Sequence, residues 1–155
     1  MIADQYSISH ISEILDAKAV LATPETVIRK LLTDSRTVID PEGSLFFAVN
    51  AQRDGHLFIK DAYENGVRNF VIADLSYAEK FKDANFLLVK DVLQALQALA
   101  KYNRKANDLK VIGVTGSNGK TIVKEWLYQL LASDYNIIRS PKSFNSQIGV
   151  PLSVW

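Results

Sequence analysis

The chain has 155 residues, 48% hydrophobic and 23% charged, so it can bury a core and lacks the composition of a disordered segment. Lys and Arg number 18 against 17 Asp and Glu, and this net charge of +1 argues against a nucleic-acid partner. Cysteine is absent and the two histidines are isolated, which excludes disulfides and Cys- or His-based metal sites. Any metal must therefore be bound through oxygen.

The start of the chain lacks the features of a targeting segment. Residues 1–14 mix polar with apolar side chains and have neither a basic region nor an apolar run. No stretch reaches the roughly 18 to 20 apolar residues that a membrane-spanning helix needs. Together with the absence of cysteine, this favours a soluble, cytoplasmic protein.

Short β-type runs alternate with helical patterns, which predicts an α/β fold. Strands are predicted at residues 26–32, 45–49, 69–73, 85–89, 110–114 and 136–139. Phe46 and Phe47 are expected to be one inward and one outward residue of the strand at 45–49, because neighbours in a strand alternate faces.

Three helices are predicted between these strands. The first covers 57–65, with Gly66 where a left-handed C-terminal cap belongs. The second begins behind Asp91 as N-cap and turns an apolar stripe to the core; its members are Val92, Ala95, Leu96, Leu99 and Tyr102. The third covers 120–131, with Trp126 in the core and an apolar face formed by Val123, Trp126, Leu127, Leu130 and Leu131.

A polar segment at 102–108 separates the second helix from the next apolar run and is the best candidate for a domain boundary. It divides the chain into 1–107 and 108–155. The second part has room for only a strand, a helix and a strand, which cannot cover both faces of a parallel sheet. We therefore expect it to be the beginning of an incomplete domain.

Three of the seven glycines lie at 113, 116 and 119, between a β-type run and a helical run. Such a loop can turn successive N–H groups inward, and the following helix adds its positive N-terminal end. Lys120 can then reach the terminal phosphates of a nucleoside triphosphate, and the Thr121 hydroxyl can bind Mg²⁺. The residues predicted to bind ATP are Thr115, Gly116, Ser117, Asn118, Gly119, Lys120 and Thr121.

Other interpretations of this loop fit less well. The strict Walker pattern requires glycine where Val114 stands, so the context of strand, loop and helix carries the prediction. A plain glycine-rich turn would also accommodate a Gly-Lys-Thr tripeptide. Glycines at every third position do not match a dinucleotide fingerprint. Ser117 could be a nucleophile, but no histidine lies in 108–155 to activate it.

The segment 115–121, followed by Lys124-Glu125, resembles the ATP loop of the Mur ligases, most closely the MurF type. The Asp-Ser-Arg at 34–36, the segment 43–49 and the Arg-Asp-Gly-His at 53–56 with Phe-Ile at 58–59 are similar to the UDP-binding domain shared by the MurE and MurF types. Asn145 and the Ile-Gly-Val-Pro at 148–151 resemble a later MurF segment. The chain departs from the family pattern at Ala51, Ile122, Ser143 and Ser146, substitutions that resemble the branch fused to an alanine racemase.

The resemblance implies a small N-terminal α/β UDP-binding domain followed by the truncated start of a P-loop ATPase domain, in the order strand, phosphate loop, helix, strand. It implies an ATP-dependent ligase of peptidoglycan precursor synthesis, with Mg²⁺ and ATP, that joins D-alanyl-D-alanine to UDP-N-acetylmuramoyl-tripeptide through an acyl phosphate. Lys120 would be catalytic. The residues implied to bind the UDP substrate are Ser35, Arg36, Ala48, Asn50, Arg53, Asp54, Gly55, His56 and Asn145. Because the family places its other metal ligands, a carbamoylated lysine and the amino-acid site beyond residue 155, the chain alone is expected to be inactive.

Each of these residues also has a purely structural interpretation. Residues 34–36 and Asp54-Gly55 can be polar turns, and His56 can start a helix or make a structural hydrogen bond. At the level of function, the alternatives are a noncatalytic UDP-sugar or nucleotide-binding module, a MurE-type ligase, and a relative of the folylpolyglutamate synthetases.

Overall fold

The computed structural model describes residues 6–107, 109–140 and 146–155. Its strands are β1 (Tyr6–Ser7), β2 (Lys18–Val20), β3 (Val27–Ile28), β4 (Lys30–Leu32), β5 (Ser44–Phe47), β6 (Asn69–Ile72) and β7 (Asn85–Leu88). Its helices are α1 (Ile8–Ile14), α2 (Ile59–Glu64), α3 (Val92–Ala106), α4 (Lys120–Leu131) and α5 (Gly149–Val154), and short 3₁₀ turns cover Ser35–Thr37, Gly55–Phe58 and Leu75–Tyr77.

A five-stranded sheet in the order β2-β7-β6-β5-β4 organises residues 18–88. Strands β4 to β7 are parallel, and β2 adds an exposed antiparallel edge against β7. Strands β1 and β3 form a separate antiparallel pair. All four parallel strands therefore end at one edge of the sheet, where ligand sites of open α/β sheets usually lie.

Both faces of the sheet are buried. On one face α1 and α3 pack against Leu45, Phe47 and Leu87, and on the other α2 packs against Phe46 and Phe70. Phe46 and Phe47 lie on opposite faces of the sheet, which confirms the predicted alternation, but the expectation that one of them points outward is wrong. Both have no exposed surface, because helices cover each side of a parallel sheet.

Most predicted elements of residues 26–106 are confirmed. Strands form within four of the predicted segments, although 26–32 is divided into β3 and β4. The carboxylate of Asp91 accepts a hydrogen bond from the backbone N–H of Gln94 at 2.9 Å, as expected of the N-cap of α3. Gly66 adopts a φ of 91° after α2, which confirms the predicted left-handed cap. The sequence reasoning missed β1, α1, β2 and α5.

The region after residue 108 departs from prediction. Helix α4 covers 120–131 as expected, but neither 110–114 nor 136–139 forms a strand. A strand needs a neighbour to accept and donate its backbone hydrogen bonds, and no described strand lies beside either segment. Trp126 is 62% exposed, so its assignment to the core is also wrong: α4 has no buried residue.

Helix α5 packs against α3. Ile148, Leu152 and Trp155 contact the apolar cluster formed by α1, α3 and the sheet. The Asn103 side-chain amide donates to the carbonyl oxygen of Val154 at 3.0 Å. Residues 146–155 therefore lie against the first part of the chain. No helix in the described ranges has the length and apolar character that crossing a membrane would require.

Candidate functional site

A cavity of about 420 Å³ opens at the carboxyl edge of the sheet. Ala48 follows β5, Ala73 follows β6 and Lys90 follows β7, so three neighbouring strands contribute to it. Its lining residues are Ala48, Asn50, Asp54, His56, Ala73, Asp74, Tyr77, Lys90, Asp91, Val92 and Leu93.

Four residues implied to bind the UDP substrate line this cavity: Ala48, Asn50, Asp54 and His56. Ser35, Arg36, Arg53 and Gly55 do not line it, and Asn145 lies outside the described residues. The sequence reasoning missed the contributions from 73–77 and 90–93. The rule that parallel strands share a carboxyl edge could have found them, because both segments directly follow predicted strands.

The turn around Asp54 is held by its own carboxylate. Asp54 Oδ1 accepts from the backbone N–H of His56 at 3.0 Å and lies 2.7 Å from His56 Nδ1. These hydrogen bonds, the backbone one first, hold the pKa of Asp54 below its usual value despite some desolvation. The interpretation of Asp54-Gly55 as a turn is therefore confirmed, and this turn is also a wall of the cavity.

His56 joins this turn to the next strand. Its Nε2 accepts a hydrogen bond from the backbone N–H of Ala73 at 3.0 Å, and its ring centroid lies 5.4 Å from that of Tyr77. The residue is only 8% exposed. The alternative of a structural hydrogen bond for His56 is confirmed.

The Asp-Ser-Arg segment forms a closed polar turn after β4. Asp34 Oδ1 accepts from the backbone N–H of Arg36 at 3.0 Å, and the Arg36 guanidinium donates twice to the same carboxylate, at 2.9 and 2.7 Å. The side-chain hydrogen bonds from Arg36 hold the pKa of Asp34 below its usual value. Ser35 is buried, and its carbonyl oxygen accepts from the side-chain amide of Asn65 at 3.0 Å.

Two other cations lie at or near the same edge. Lys90 lines the cavity, and Arg53 follows the end of β5 on the turn that leads to Asp54. Both are exposed, and neither side chain has a hydrogen-bond or ion-pair partner within 6–107, 109–140 and 146–155. An unpaired ammonium or guanidinium beside a cavity suits a phosphate group.

The glycine-rich loop leads directly into α4. Gly116 has a φ of 143° and Gly119 a φ of 77°, conformations that side chains other than glycine rarely adopt. Gly119 is the N-cap of α4 and offers no side chain to its first turn. The first backbone N–H groups of a helix have no partner within the helix, and the helix dipole makes this end positive. The loop can therefore bind an anion.

Lys120 lies over this loop. Its ammonium donates to the carbonyl oxygens of Gly116 and of Ser117, the latter at 3.3 Å. The same ammonium can exchange these carbonyls for phosphate oxygens. Thr121 follows at an exposed position in the first turn. Across the described ranges, no three His, Cys, Asp or Glu side chains cluster to hold a metal ion.

Residues 114–154 match the Mur ligase middle domain. A relative from Bacillus subtilis (strain 168), UDP-N-acetylmuramoyl-tripeptide--D-alanyl-D-alanine ligase, is 38% identical over 96% of this chain and 32% of its own length. This chain belongs to the Mur ligase family.

Solved Mur ligase structures share the fold. UDP-N-acetylmuramoylalanyl-D-glutamyl-2,6-diaminopimelate--D-alanyl-D-alanyl ligase from Acinetobacter baumannii matches 99% of this chain and 34% of its own, with a TM-score of 0.80 and 27% identity. MurF ligase from Thermotoga maritima, solved in complex with ADP, matches 81% of this chain and 28% of its own, with a TM-score of 0.67 and 31% identity. The chain thus spans about a third of the length of the curated relative from Bacillus subtilis.

The Lys124-Glu125 pair, part of the Mur ligase resemblance, connects α4 to the segment that follows it. Lys124 Nζ donates to the carbonyl oxygen of Ser140 at 2.8 Å and lies 3.2 Å from Glu125 Oε1. Glu125 also pairs with Arg139, whose guanidinium lies 4.2 Å from the ring centroid of Tyr128. The segment 136–140 is therefore held against α4 by the hydrogen bond to Ser140 and the ion pair with Arg139, although it forms no strand.

Proposed function

We propose that this chain supplies the UDP-substrate unit and the ATP loop of a cytoplasmic ligase that joins D-alanyl-D-alanine to UDP-N-acetylmuramoyl-tripeptide. One observation carries the proposal: a single chain has both a cavity at the carboxyl edge of a parallel sheet and a glycine loop at the start of a helix. The names of the Mur ligase relatives support the choice of substrates.

The UDP part of the substrate binds at the carboxyl edge. Ala48, Asn50 and Asp54 contribute the wall beside β5, and the unpaired cations Arg53 and Lys90 suit the pyrophosphate. The Arg36 guanidinium is bound to Asp34 through Nε and Nη2, so it can contribute through Nη1, which has no hydrogen-bond partner among the described residues. Ser35 and Gly55 are buried, so they contribute to UDP binding through their backbone groups and the shape of their turns. Asn145 remains part of the proposed site.

ATP binds to residues 115–121. The loop N–H groups and the Lys120 ammonium hold the phosphates, and the Thr121 hydroxyl is the one Mg²⁺ ligand that we assign to this chain. A single hydroxyl fits a Mg²⁺ ion that is otherwise bound by phosphate oxygens and water. The ion, when bound, neutralises charge on the transferred phosphoryl group.

The reaction follows from these two sites. The substrate carboxylate attacks the γ-phosphorus of ATP, which forms an acyl phosphate and releases ADP. The amine of D-alanyl-D-alanine then attacks the acyl carbon, and an amide forms as phosphate leaves and the amine loses a proton. Lys120 stabilises the charge that develops in the first step, mainly by positioning. The proposal concerns the whole protein, since the chain spans about a third of its relatives.

Two experiments test this proposal. Phosphate release by the full-length protein is measured with UDP-N-acetylmuramoyl-tripeptide, D-alanyl-D-alanine and Mg-ATP, and no release would overturn the ligase assignment. Calorimetry on the chain then compares Lys120→Ala with Lys110→Ala, an exposed lysine ahead of the loop. Lys120→Ala should lose ATP binding and keep UDP binding, whereas Lys110→Ala should keep both.

We further propose the division of the chain into a UDP-binding part, 1–107, and the start of the ATP-binding part, 108–155. The matched range 114–154 supports the second part. Because α5 packs against α3, the division that we propose is one of function and does not follow a gap in packing. Calorimetry with UDP on residues 1–107 tests it: binding as tight as that of the chain supports the division.

A further inference from the structure

We infer that His56 is a positioning residue, whose neutral imidazole ties the turn at 50–56 to the end of β6 and whose protonation releases that tie. The inference rests on the proposed UDP site, because His56 connects two walls of that cavity, one at 50–54 and one at 73–77.

Hydrogen bonding fixes the tautomer of the ring. The backbone N–H of Ala73 can only donate, so the Nε2 atom that lies 3.0 Å from it must carry no proton. The ring proton is then on Nδ1, where it is donated to Asp54 Oδ1 over 2.7 Å. This assignment follows from the partners of the two nitrogens.

Neither ring nitrogen is left for a ligand. One is bound by the Asp54 carboxylate and the other by the Ala73 N–H, and only 8% of the residue is exposed. Asn50 and Asp54 form one wall of the cavity, and Ala73 and Tyr77 form another. The imidazole therefore affects UDP binding through the distance between these walls.

Protonation changes this arrangement at one point. A proton on Nε2 would face the Ala73 N–H, and two donors at 3.0 Å repel, so one wall must move. The groups that face the ring or line the same cavity are Asp54, Asp74, Tyr77, Lys90 and Asp91.

Asp54 and Asp74 favour the imidazolium electrostatically, whereas the lost Ala73 bond opposes it. Hydrogen bonds hold the pKa of both carboxyls below the usual value, so both are ionised at neutral pH. The bond from Ala73 therefore exists only while His56 Nε2 carries no proton.

Two substitutions separate the two hydrogen bonds. In His56→Gln the amide oxygen reaches the position of Nε2 and can accept from Ala73, and it does not titrate. In His56→Asn the shorter amide reaches the position of Nδ1, which keeps the bond to Asp54 and loses the one to Ala73. His10→Gln removes the other histidine of the chain, which stacks on Tyr6, as a control.

Calorimetry with UDP on the chain at pH 8 and at pH 5.5 gives the first readout. We expect the UDP affinity of the wild type to fall about five- to tenfold at the lower pH, the equivalent of one hydrogen bond. The control variant His10→Gln should show the same fall. His56→Gln should bind within about threefold of the wild type at pH 8 and be insensitive to pH, because its amide keeps the bond to Ala73. His56→Asn should bind weakly at both values.

The backbone amide resonance of Ala73, followed by NMR across the same pH range, gives a second readout that needs no ligand. It should titrate in the wild type and in His10→Gln but not in His56→Gln. An Ala73 resonance that does not move, or equal UDP affinity in all variants at both pH values, overturns the inference. If Ala73 titrates as expected while UDP does not bind at any pH, the tie at His56 stands and the proposed UDP site fails.

Discussion

Gly55 lies so close to Val49 that a β-carbon at position 55 would come 2.6 Å from both the backbone nitrogen and the carbonyl oxygen of Val49. The Gly55 N–H donates to that carbonyl at 3.1 Å. The turn that carries Asp54 and His56 is therefore pressed against the end of β5. Only a residue without a side chain permits this approach, and it sets the wall of the candidate UDP site.

Gly55→Ala should therefore destabilise the chain. The new methyl group meets backbone atoms, which cannot rotate away, so the turn or β5 must shift at a cost of about 1–3 kcal/mol. Urea unfolding measures the loss, and UDP affinity should fall with it. Gly113→Ala is the matched control, because a β-carbon there has nothing within 4 Å. Equal stability of the two variants would contradict the close approach.

The parallel part of the sheet was predictable from sequence, whereas its antiparallel edge β2 was not. Phe46, Phe70 and Phe86 stand in apolar runs long enough to show buried strands, and Asp91 and Gly66 mark the ends of helices by their own chemistry. Strand β2 has three exposed residues and exists only because it pairs with β7. Such an edge depends on tertiary pairing and leaves no pattern in the sequence.

The candidate site was predictable in part for a similar reason. The glycines at 116 and 119 signal positive φ through residue type alone. His56 was selected by resemblance, but its bond to Ala73 joins residues 17 positions apart, which no local pattern reveals. The pattern at 110–114 also predicted a strand that the structure does not contain. Hydrophobic periodicity does not show whether a neighbouring strand is present to pair with it.

A buried pair of asparagines joins the amino ends of β6 and β7. The Asn85 side-chain amide donates to Asn69 Oδ1 at 2.7 Å, and Asn85 Oδ1 accepts from the backbone N–H of Thr23 at 2.8 Å. Asn85→Ala should lower the free energy of unfolding by about 1–3 kcal/mol, because buried polar partners lose their hydrogen bonds. Urea unfolding checks this, with exposed Asn136→Ala as the neutral control. A loss as small as that of the control would mean that water replaces the amide.

Acid should destabilise the fold through its hydrogen-bonded carboxyls. The Tyr63 hydroxyl donates to Asp83 at 2.6 Å and Arg68 Nε donates at 3.0 Å, and the tyrosine bond above all lowers the pKa of Asp83 from its ordinary value of 3.8. A carboxyl whose pKa is lower in the folded state stabilises the fold above the unfolded pKa, and this contribution is lost as pH falls through the folded pKa.

The urea midpoint should therefore fall between pH 5 and pH 2.5, and Asp83→Asn should show a smaller fall because its side chain does not titrate. Asp61→Asn, at an exposed position on α2, is the matched control and should follow the wild type. The same midpoint shift in Asp83→Asn and in the wild type would contradict a role for this carboxyl.

Gly119 tests the phosphate loop without changing its charge. Its φ of 77° lies in the left-handed region, and a β-carbon there meets nothing within 4 Å, so the cost of a side chain is conformational only. Alanine should cost about 1–2 kcal/mol in that conformation, whereas asparagine tolerates it better. If ATP binds to this loop as proposed, Gly119→Ala should weaken ATP binding about five- to thirtyfold by calorimetry, and Gly119→Asn should recover part of the loss.

UDP affinity should stay unchanged in both variants, because the loop lies outside the cavity at the sheet edge. Loss of UDP binding together with ATP binding would show that the two sites are not separate.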